Sequence, residues 1–335
     1  MYRSAILLAT IAMLLGEPST AAGETVGVVT ILEGDAIAIR GLSEFALAEG
    51  VRIQSNDLVE TGKSTFLRVE FSDGAIVDLG PATRAQLNRP SLRKNDRPTL
   101  YLLTGLLKIT AGKLGGGAKA SVASPQFDAV GLDGDSVEQV QSGASAVFAE
   151  DGPVHVLDRR RGTPVPLQLK SGDFVVLRSE EAPKVSGRPA HEFVAALPRQ
   201  FEDSLPSRIG RFKGREVPAK LAGAFTYAQV EAWLDAEPMI RRRFVYEWAV
   251  KANDEAFREH LEARLGRHPE WERVLYPERF EPKPTAPAAA PAPAPVASPV
   301  ATAPATPAGG GSGPSNPSVL PATPEPGAPN GAPAH

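Results

Sequence analysis

A period-two alternation broken by one short glycine turn, across residues 64–79, sets the first limit on how this chain can fold. Leu67, Val69 and Phe71 alternate with Arg68 and Glu70; after Ser72-Asp73-Gly74, Ala75, Val77 and Leu79 alternate with Ile76 and Asp78. Successive side chains on a strand point to opposite faces, so a slip of one residue moves every apolar group to the wet side. A two-residue Asp-Gly loop would set Val69 against Asp78 and mix the faces. A three-residue loop sets Phe71 against Ala75, Val69 against Val77 and Leu67 against Leu79, with Gly74 in the left-handed conformation. The same reasoning at Glu150-Asp151-Gly152 predicts a second hairpin, with Phe148 opposite Val154 and Ala146 opposite Val156.

Further strands are expected over residues 26–32, 36–40, 100–103, 106–110 and 174–178. Turn residues punctuate them at Gly34-Asp35, Gly50, Thr61-Gly62, Thr104-Gly105 and Gly172-Asp173. No long helical pattern interrupts this stretch. The expected fold class is therefore mainly β over residues 24–180, as an antiparallel sandwich, a roll or a short β-solenoid. Residues 181–224 show no sustained period and read as a linker or irregular segment.

From Phe225 the period changes. Thr226-Tyr227-Ala228-Gln229 has the form of a capping box, with Phe225 placed to staple against Val230. Pro238 suits the first turn of a second helix, along which Ile240, Phe244 and Trp248 recur every fourth residue. Asn253 or Asp254 can cap a third helix carrying Phe257, Leu261 and Leu265, and Pro269 opens a short turn with Trp271. Residues 225–280 thus read as a small helical bundle, its three tryptophans serving as core. Residues 281–335 are rich in proline and alanine and lack large apolar side chains, which describes a disordered tail with extended polyproline character. At about 3.1 Å per residue such a tail reaches on the order of 150 Å.

The N-terminus places Arg3 before an apolar run over residues 5–16, followed by Ser19, Thr20, Ala21, Ala22 and Gly23. This is the order of a secretory signal peptide over residues 1–23, with cleavage after Ala22 or Gly23; the alternative is a retained anchor. About a dozen apolar residues fall short of the roughly 20 that span a bilayer. The expected location is the periplasm, with no integral membrane segment after cleavage. With no cysteine in 335 residues, disulfides, thiolate metal sites and acylated-cysteine anchors are excluded.

Little in the chain points to catalysis. The five histidines, His155, His191, His260, His268 and His335, show no metal-binding spacing, and no phosphate-cradling loop or nucleophile elbow is present. Gly131-Leu132-Asp133-Gly134-Asp135 has some likeness to a calcium loop without its terminal glutamate, and reads better as a turn. Gly115-Gly116-Gly117 reads as a loop. No catalytic, cofactor-binding or metal residue is assigned, and no cofactor is implied. A formal net charge of −3 gives no reason to expect nucleic acid as a partner. The interaction candidates are two arginine runs, Arg159-Arg160-Arg161 at an expected hairpin tip and Arg241-Arg242-Arg243 on the second helix. A further basic stretch holds Arg208, Arg211, Lys213 and Arg215. In each case a solvated surface is the alternative.

The segment 56–62, Asn-Asp-Leu-Val-Glu-Thr-Gly, the strand and turn after it, and Val77-Asp78-Leu79-Gly80-Pro81 together resemble the FecR domain. Leu103-Thr104-Gly105-Leu106-Leu107 and Val122-Ala123-Ser124-Pro125 resemble later steps of the same family. The resemblance covers roughly residues 50–158. It implies a β-rich periplasmic domain that binds a partner, in signalling members an outer-membrane transporter. This chain departs from the signalling plan, having no cytoplasmic segment followed by a membrane helix, so the relay is not carried over. The function expected is a non-catalytic periplasmic binding or scaffold protein, in envelope signalling or assembly, whose partner is a periplasmic or outer-membrane protein. The alternative is a module that binds peptidoglycan or another cell-wall polymer. More remote is an enzyme acting on envelope glycans, which would need paired carboxylates.

Overall fold

The computed structural model describes residues 23–88, 100–111, 120–179 and 181–281. The signal-peptide reading with its Ala22 position, the Gly115-Gly116-Gly117 loop and the tail lie outside the described residues; Gly23 is the first described. Nine strands come first: β1 Thr25–Glu33, β2 Ala36–Arg40, β3 Ser43–Ala46, β4 Arg52–Gln54, β5 Asp57–Thr61, β6 Phe66–Phe71, β7 Ile76–Leu79, β8 Arg84–Leu87 and β9 Leu100–Thr110. Eight follow: β10 Ala120–Ala123, β11 Phe127–Leu132, β12 Asp135–Gln141, β13 Ala144–Ala149, β14 Val154–Asp158, β15 Val165–Leu169, β16 Phe174–Arg178 and β17 Lys184–Ser186. The last, β18, is Lys220–Ala224.

The first sheet runs β4-β1-β6-β7-β9-β12-β13-β16-β17, antiparallel throughout. The second runs β18-β3-β2-β5-β8-β9-β10-β11-β14-β15, antiparallel except for the β9–β10 pair. Both contribute to one apolar core that holds Val69, Val77 and Leu79 of the first and Val59, Ala85 and Leu87 of the second. The mainly β expectation holds, in two-sheet form.

The connections follow one device. Each long stretch of extended chain starts in one sheet, bends, and continues in the other, so that β5-β6 and β7-β8 form one folded hairpin and β11-β12 and β13-β14 another. Within the first, the expected register is found: Leu67 stands opposite Leu79 and Val69 opposite Val77. Phe71 N donates to Ala75 O at 2.8 Å and Gly74 has φ +89°.

Two expectations are corrected. Val154 does not face Phe148: β13 pairs with β12 and β16, and β14 pairs with β11 and β15. Asp151-Gly152 is a corner between sheets, where Asp151 exchanges both backbone hydrogen bonds with Asp135 at 2.9 and 3.0 Å. A Cβ on Gly152 would lie 2.5 Å from Asp133 O, so glycine is required there by close backbone approach as well as by its φ of +77°. Likewise, Thr104-Gly105 is a bend inside β9, not a turn between two strands. Residues before the bend pair with β8 in the second sheet, and those after it pair with β7 and β12 in the first.

Bending interrupts the ladder and leaves backbone groups that need partners. Threonine hydroxyls, each both donor and acceptor, fill these places. Thr61 Oγ1 donates to Gly80 O at 2.6 Å and accepts from Thr83 N at 2.8 Å; Thr83 Oγ1 accepts from Leu106 N at 3.0 Å. Thr65 Oγ1 does the same for Asp35 O and N, at 2.9 and 3.0 Å. Gly105 passes so close to Thr83 that a Cβ would stand 2.4 Å from its Cα.

The stretch 181–224, expected as a linker or irregular segment, packs onto the first sheet through its short helices. Short helices α1 His191–Ala195 and α2 Arg199–Glu202 bring Phe193 and Phe201 onto the outer face of the first sheet, against Phe66, Leu106, Val137 and Phe174. Burying side chains of this kind is worth about 1.5–3 kcal/mol each, which holds the segment down although its sequence lacks a period.

The second sheet is covered by α3 Tyr227–Leu234, α4 Pro238–Glu247, α5 Glu255–Ala263 and α6 Glu272–Leu275. The caps fall as expected: Thr226 N donates to Gln229 Oε1 at 2.7 Å, Pro238 opens α4, and Asp254 accepts from Phe257 N. These helices do not close a core among themselves alone. Their apolar cluster includes Ile39, Leu58, Tyr101 and Ala123 of the sheet. Trp233, Trp248 and Trp271 are all buried; Trp233 Nε1 donates to Glu60 and Trp248 Nε1 to Gly41 O, each at 2.9 Å. Among the described residues, no helix is long and apolar enough to cross a membrane.

Candidate functional site

Three places gather chemistry-bearing side chains. At the first, β11, the end of β14 and the start of α4 bring Asp128, Arg159 and Glu237 together. The Arg159 guanidinium reaches Asp128 at 3.0 Å, Glu237 at 2.6 Å and Ser124 O at 3.2 Å. Burial raises the affinity of both carboxyls for a proton, and Arg159 pulls the other way. Burial and the nearby Glu237 also push the Tyr101 hydroxyl up. A carboxylate pair of this kind could do acid–base work only if a substrate could reach it. Here both carboxylates hold the same guanidinium, and the trio fastens the helical layer to the strands. Arg159→Ala is expected to cost about 1–3 kcal/mol in urea unfolding, the pair being partly solvated. Arg242→Ala, at an exposed position, should stay within about 0.5 kcal/mol.

The other candidate arginines divide by burial. Arg160 forms two bonds to Asp158, at 2.8 and 2.7 Å, and also donates to the carbonyls of Arg178 and Glu181. Its hydrogen bonds hold the Asp158 carboxyl below the usual range. Arg241 grips Glu270 at 3.0–3.1 Å, and Arg243 donates to Asn56 Oδ1 at 3.0 Å and to its carbonyl at 3.2 Å. Arg161 and Arg242 are exposed. Thus Arg159, Arg160, Arg241 and Arg243 are occupied by internal partners. In the later basic stretch, Arg208 N donates to Glu70 at 2.7 Å, while Arg211, Lys213 and Arg215 are exposed.

The second place is the outer face of the first sheet, beneath residues 201–209. Arg68 and Asp78, opposite each other on β6 and β7, form a buried two-bond pair at 2.6 and 2.7 Å, and Arg68 also donates to Leu205 O at 3.0 Å. Glu70 accepts from Ser207 and from the backbone of Arg208 and Ile209, and these bonds lower its pKa against the effect of burial. Lys108 donates to Phe201 O at 2.7 Å and pairs with Glu150 at 2.6 Å. The charges clamp the covering segment down.

The third is a groove of about 330 Å³ on the same face, beyond the reach of α2. Gln139, Gln141, Val176 and Arg178 form its floor and Glu192 and Phe193 its wall. It offers amides, the Ser145 residue and one charge of each sign.

No family model matches the chain, and no curated protein matches it. Two crystal structures of a candidate anti-sigma factor from Parabacteroides distasonis are similar at 16% identity, with TM-scores of 0.34 and 0.33. The match covers 41% of this chain and 62% of each of those, so the chain spans less than two thirds of their length.

Among the described residues, no group of three or more histidine or carboxylate side chains is placed to hold a metal. The calcium-like segment is the sheet corner at Gly134, whose carbonyl accepts from Ala111 N at 2.9 Å. Two features were not anticipated. Arg68 and Asp78 follow from the hairpin register, since pairing Leu67 with Leu79 sets them opposite; the missing signal was that this face is covered. Glu138 lies fully buried on β12 with Ser136 Oγ donating to it at 2.7 Å, on the face that carries Val140 into the inter-sheet core. Burial pushes its pKa up to about 8.

Proposed function

We propose that this chain is an exported, non-catalytic contact protein of the cell envelope, built on a domain of FecR type. The observation that carries the reading is where the charges go. Arg159 joins Asp128 of the second sheet to Glu237 of the helical layer, and Arg68 and Lys108, already paired with Asp78 and Glu150, also donate to Leu205 O and Phe201 O of the segment that covers the first sheet. Catalysis needs convergent groups open to a substrate; contact needs exposed edges and grooves, which this surface has. The FecR resemblance gains physical content, because Thr61-Gly62, Gly80-Pro81 and Thr104-Gly105 all sit at bends between the sheets. Those motif residues serve architecture, which accounts for their form without any activity.

The partner class proposed is a periplasmic or outer-membrane protein. Fractionation of cells producing the full chain should place it in the periplasmic extract, with a mature N-terminus after Ala22 or Gly23. Photo-crosslinking in the same cells should then yield discrete protein adducts. Recovery in the cytoplasm would overturn the location. Pelleting with purified peptidoglycan, in the absence of protein adducts, would transfer the function to a wall polymer.

A further inference from the structure

A two-sheet protein with open edges has four places where another strand can be added, and here they differ. In the first sheet, β4 has three residues and is overlaid: Val51 beside it bridges to Val217, and Arg52 donates to the carbonyls of Phe212 and Arg215 at 3.0 and 3.2 Å. The opposite edge, β17, also has three residues. In the second sheet, β15 carries Pro166, which has no N–H to offer. The fourth edge, β18, is five residues long, lacks proline and among the described residues pairs only with β3. It is exposed at every position but Gly223, and Leu221 keeps 61% of its surface. Such an edge presents unpaired backbone donors and acceptors in a row, which is the surface that strand addition uses.

Charge restricts what can pair there. Arg211, Lys213 and Arg215 lead into the strand and Lys220 opens it, with Glu216 the lone acid between Arg208 and Ala224. Among the described residues none of these four cations is in an ion pair, although most arginines elsewhere in the fold are. A second copy of the chain would bring two such positive edges together.

We infer that β18 is a docking edge for an extended, acidic segment of a partner protein, added as a further strand of the second sheet. The inference rests on the contact reading above and names its partner chemistry. Main-chain bonds supply attachment, Leu221 supplies an apolar contact, and the basic run selects acidic flanks. The ladder with β3 steps from Leu221–Phe45 to Gly223–Glu44, so Ala222 is a bulge residue with no β3 partner. That makes Ala222→Pro a probe of this strand: it removes a backbone donor where the register with β3 is already interrupted.

The test uses the full mature chain, a fluorescent peptide of alternating valine and glutamate, and its valine–lysine counterpart. The acidic peptide should bind at least about tenfold more tightly, and raising salt from about 0.05 to about 0.5 M should weaken it. Hydrogen exchange should slow over residues 220–224 on binding. Ala222→Pro, and separately the triple reversal Arg211→Glu, Lys213→Glu, Arg215→Glu at exposed positions, should each weaken binding about tenfold or more. Equal or absent binding of the two peptides, or protection elsewhere in the chain, overturns the inference. So does a concentration-dependent dimer abolished by Ala222→Pro, which assigns the edge to a second copy. Pelleting with an anionic wall polymer, lost in the triple reversal without any peptide preference, would likewise assign the cations to that polymer. If in-cell adducts persist unchanged in Ala222→Pro, the contact reading stands and the β18 assignment fails; if no adducts form in the unaltered chain, the contact reading fails.

Discussion

Replacing Glu138 with glutamine should raise stability at pH 8 by on the order of 4 kcal/mol while leaving it nearly unchanged near pH 4. The side chain is fully buried and its pKa rises from 4.5 to about 8 because burial penalises the carboxylate more than the Ser136 hydrogen bond supports it. The strands on either side set Leu107 and Val147 opposite it, so neither register partner brings a countercharge. The sign follows from proton counting. Between about pH 4.5 and 8 the unfolded chain has released this proton and the folded chain retains it. Stability therefore falls as pH rises, by about 1.4 kcal/mol per unit, and flattens above about 8 where both states are ionised. Glutamine keeps the shape and the acceptor for Ser136 without the titration. Urea midpoints measured from pH 4 to 9 should separate over this window. Parallel profiles for the two proteins would sink the idea that Glu138 is protonated in the fold.

The β architecture was legible where a short turn and a sided alternation agreed. At Ser72-Asp73-Gly74 both strands have one apolar face, so only one loop length keeps them consistent, and the register is found as expected. At Glu150-Asp151-Gly152 the same rule misled. Ala146 and Phe148 face the outer cover of the first sheet, whereas Val154 and Val156 enter the inter-sheet core. Their alternation is equally clean whether the strands pair or turn a corner. A corner is a long-range arrangement, and its signature lies in the close approach of Gly134 and Gly152, which no local pattern reports. The Thr104-Gly105 bend escaped for a related reason: glycine at positive φ marks a turn and a kink alike.

The helices were legible because their caps are local chemistry; their seat on the second sheet was not, because it depends on which strand face is left bare. The candidate residues behaved in the same way. Runs of arginine stand out in a sequence, yet Arg159 and Arg241 find Glu237 and Glu270 only after folding, across 78 and 29 residues of chain. Arg211, Lys213 and Arg215, by contrast, remain exposed and among the described residues are in no ion pair.

Arg68→Ala should be among the most damaging single changes on the outer face of the first sheet, costing about 3–5 kcal/mol. The loss is larger than the pair's net worth, since alanine leaves Asp78 buried without its two hydrogen bonds and leaves Leu205 O without its donor. Burial already raises the Asp78 pKa against the pull of Arg68, with Lys108 as the other attractive charge and Glu70 opposing. Without Arg68 the carboxyl should take up a proton at higher pH. The variant should accordingly regain part of its stability on acidification. Replacing both partners with leucine removes the uncompensated charge and should be far milder than Arg68→Ala alone. Limited proteolysis gives the structural counterpart, because Arg68 is one of the ties holding residues 201–209 to the sheet. Cleavage there should speed up in Arg68→Ala before global unfolding begins. A variant within about 1 kcal/mol of the original protein, with unchanged cleavage, would mean that the pair is solvated and that Glu70, Lys108, Phe193 and Phe201 hold the cover without it.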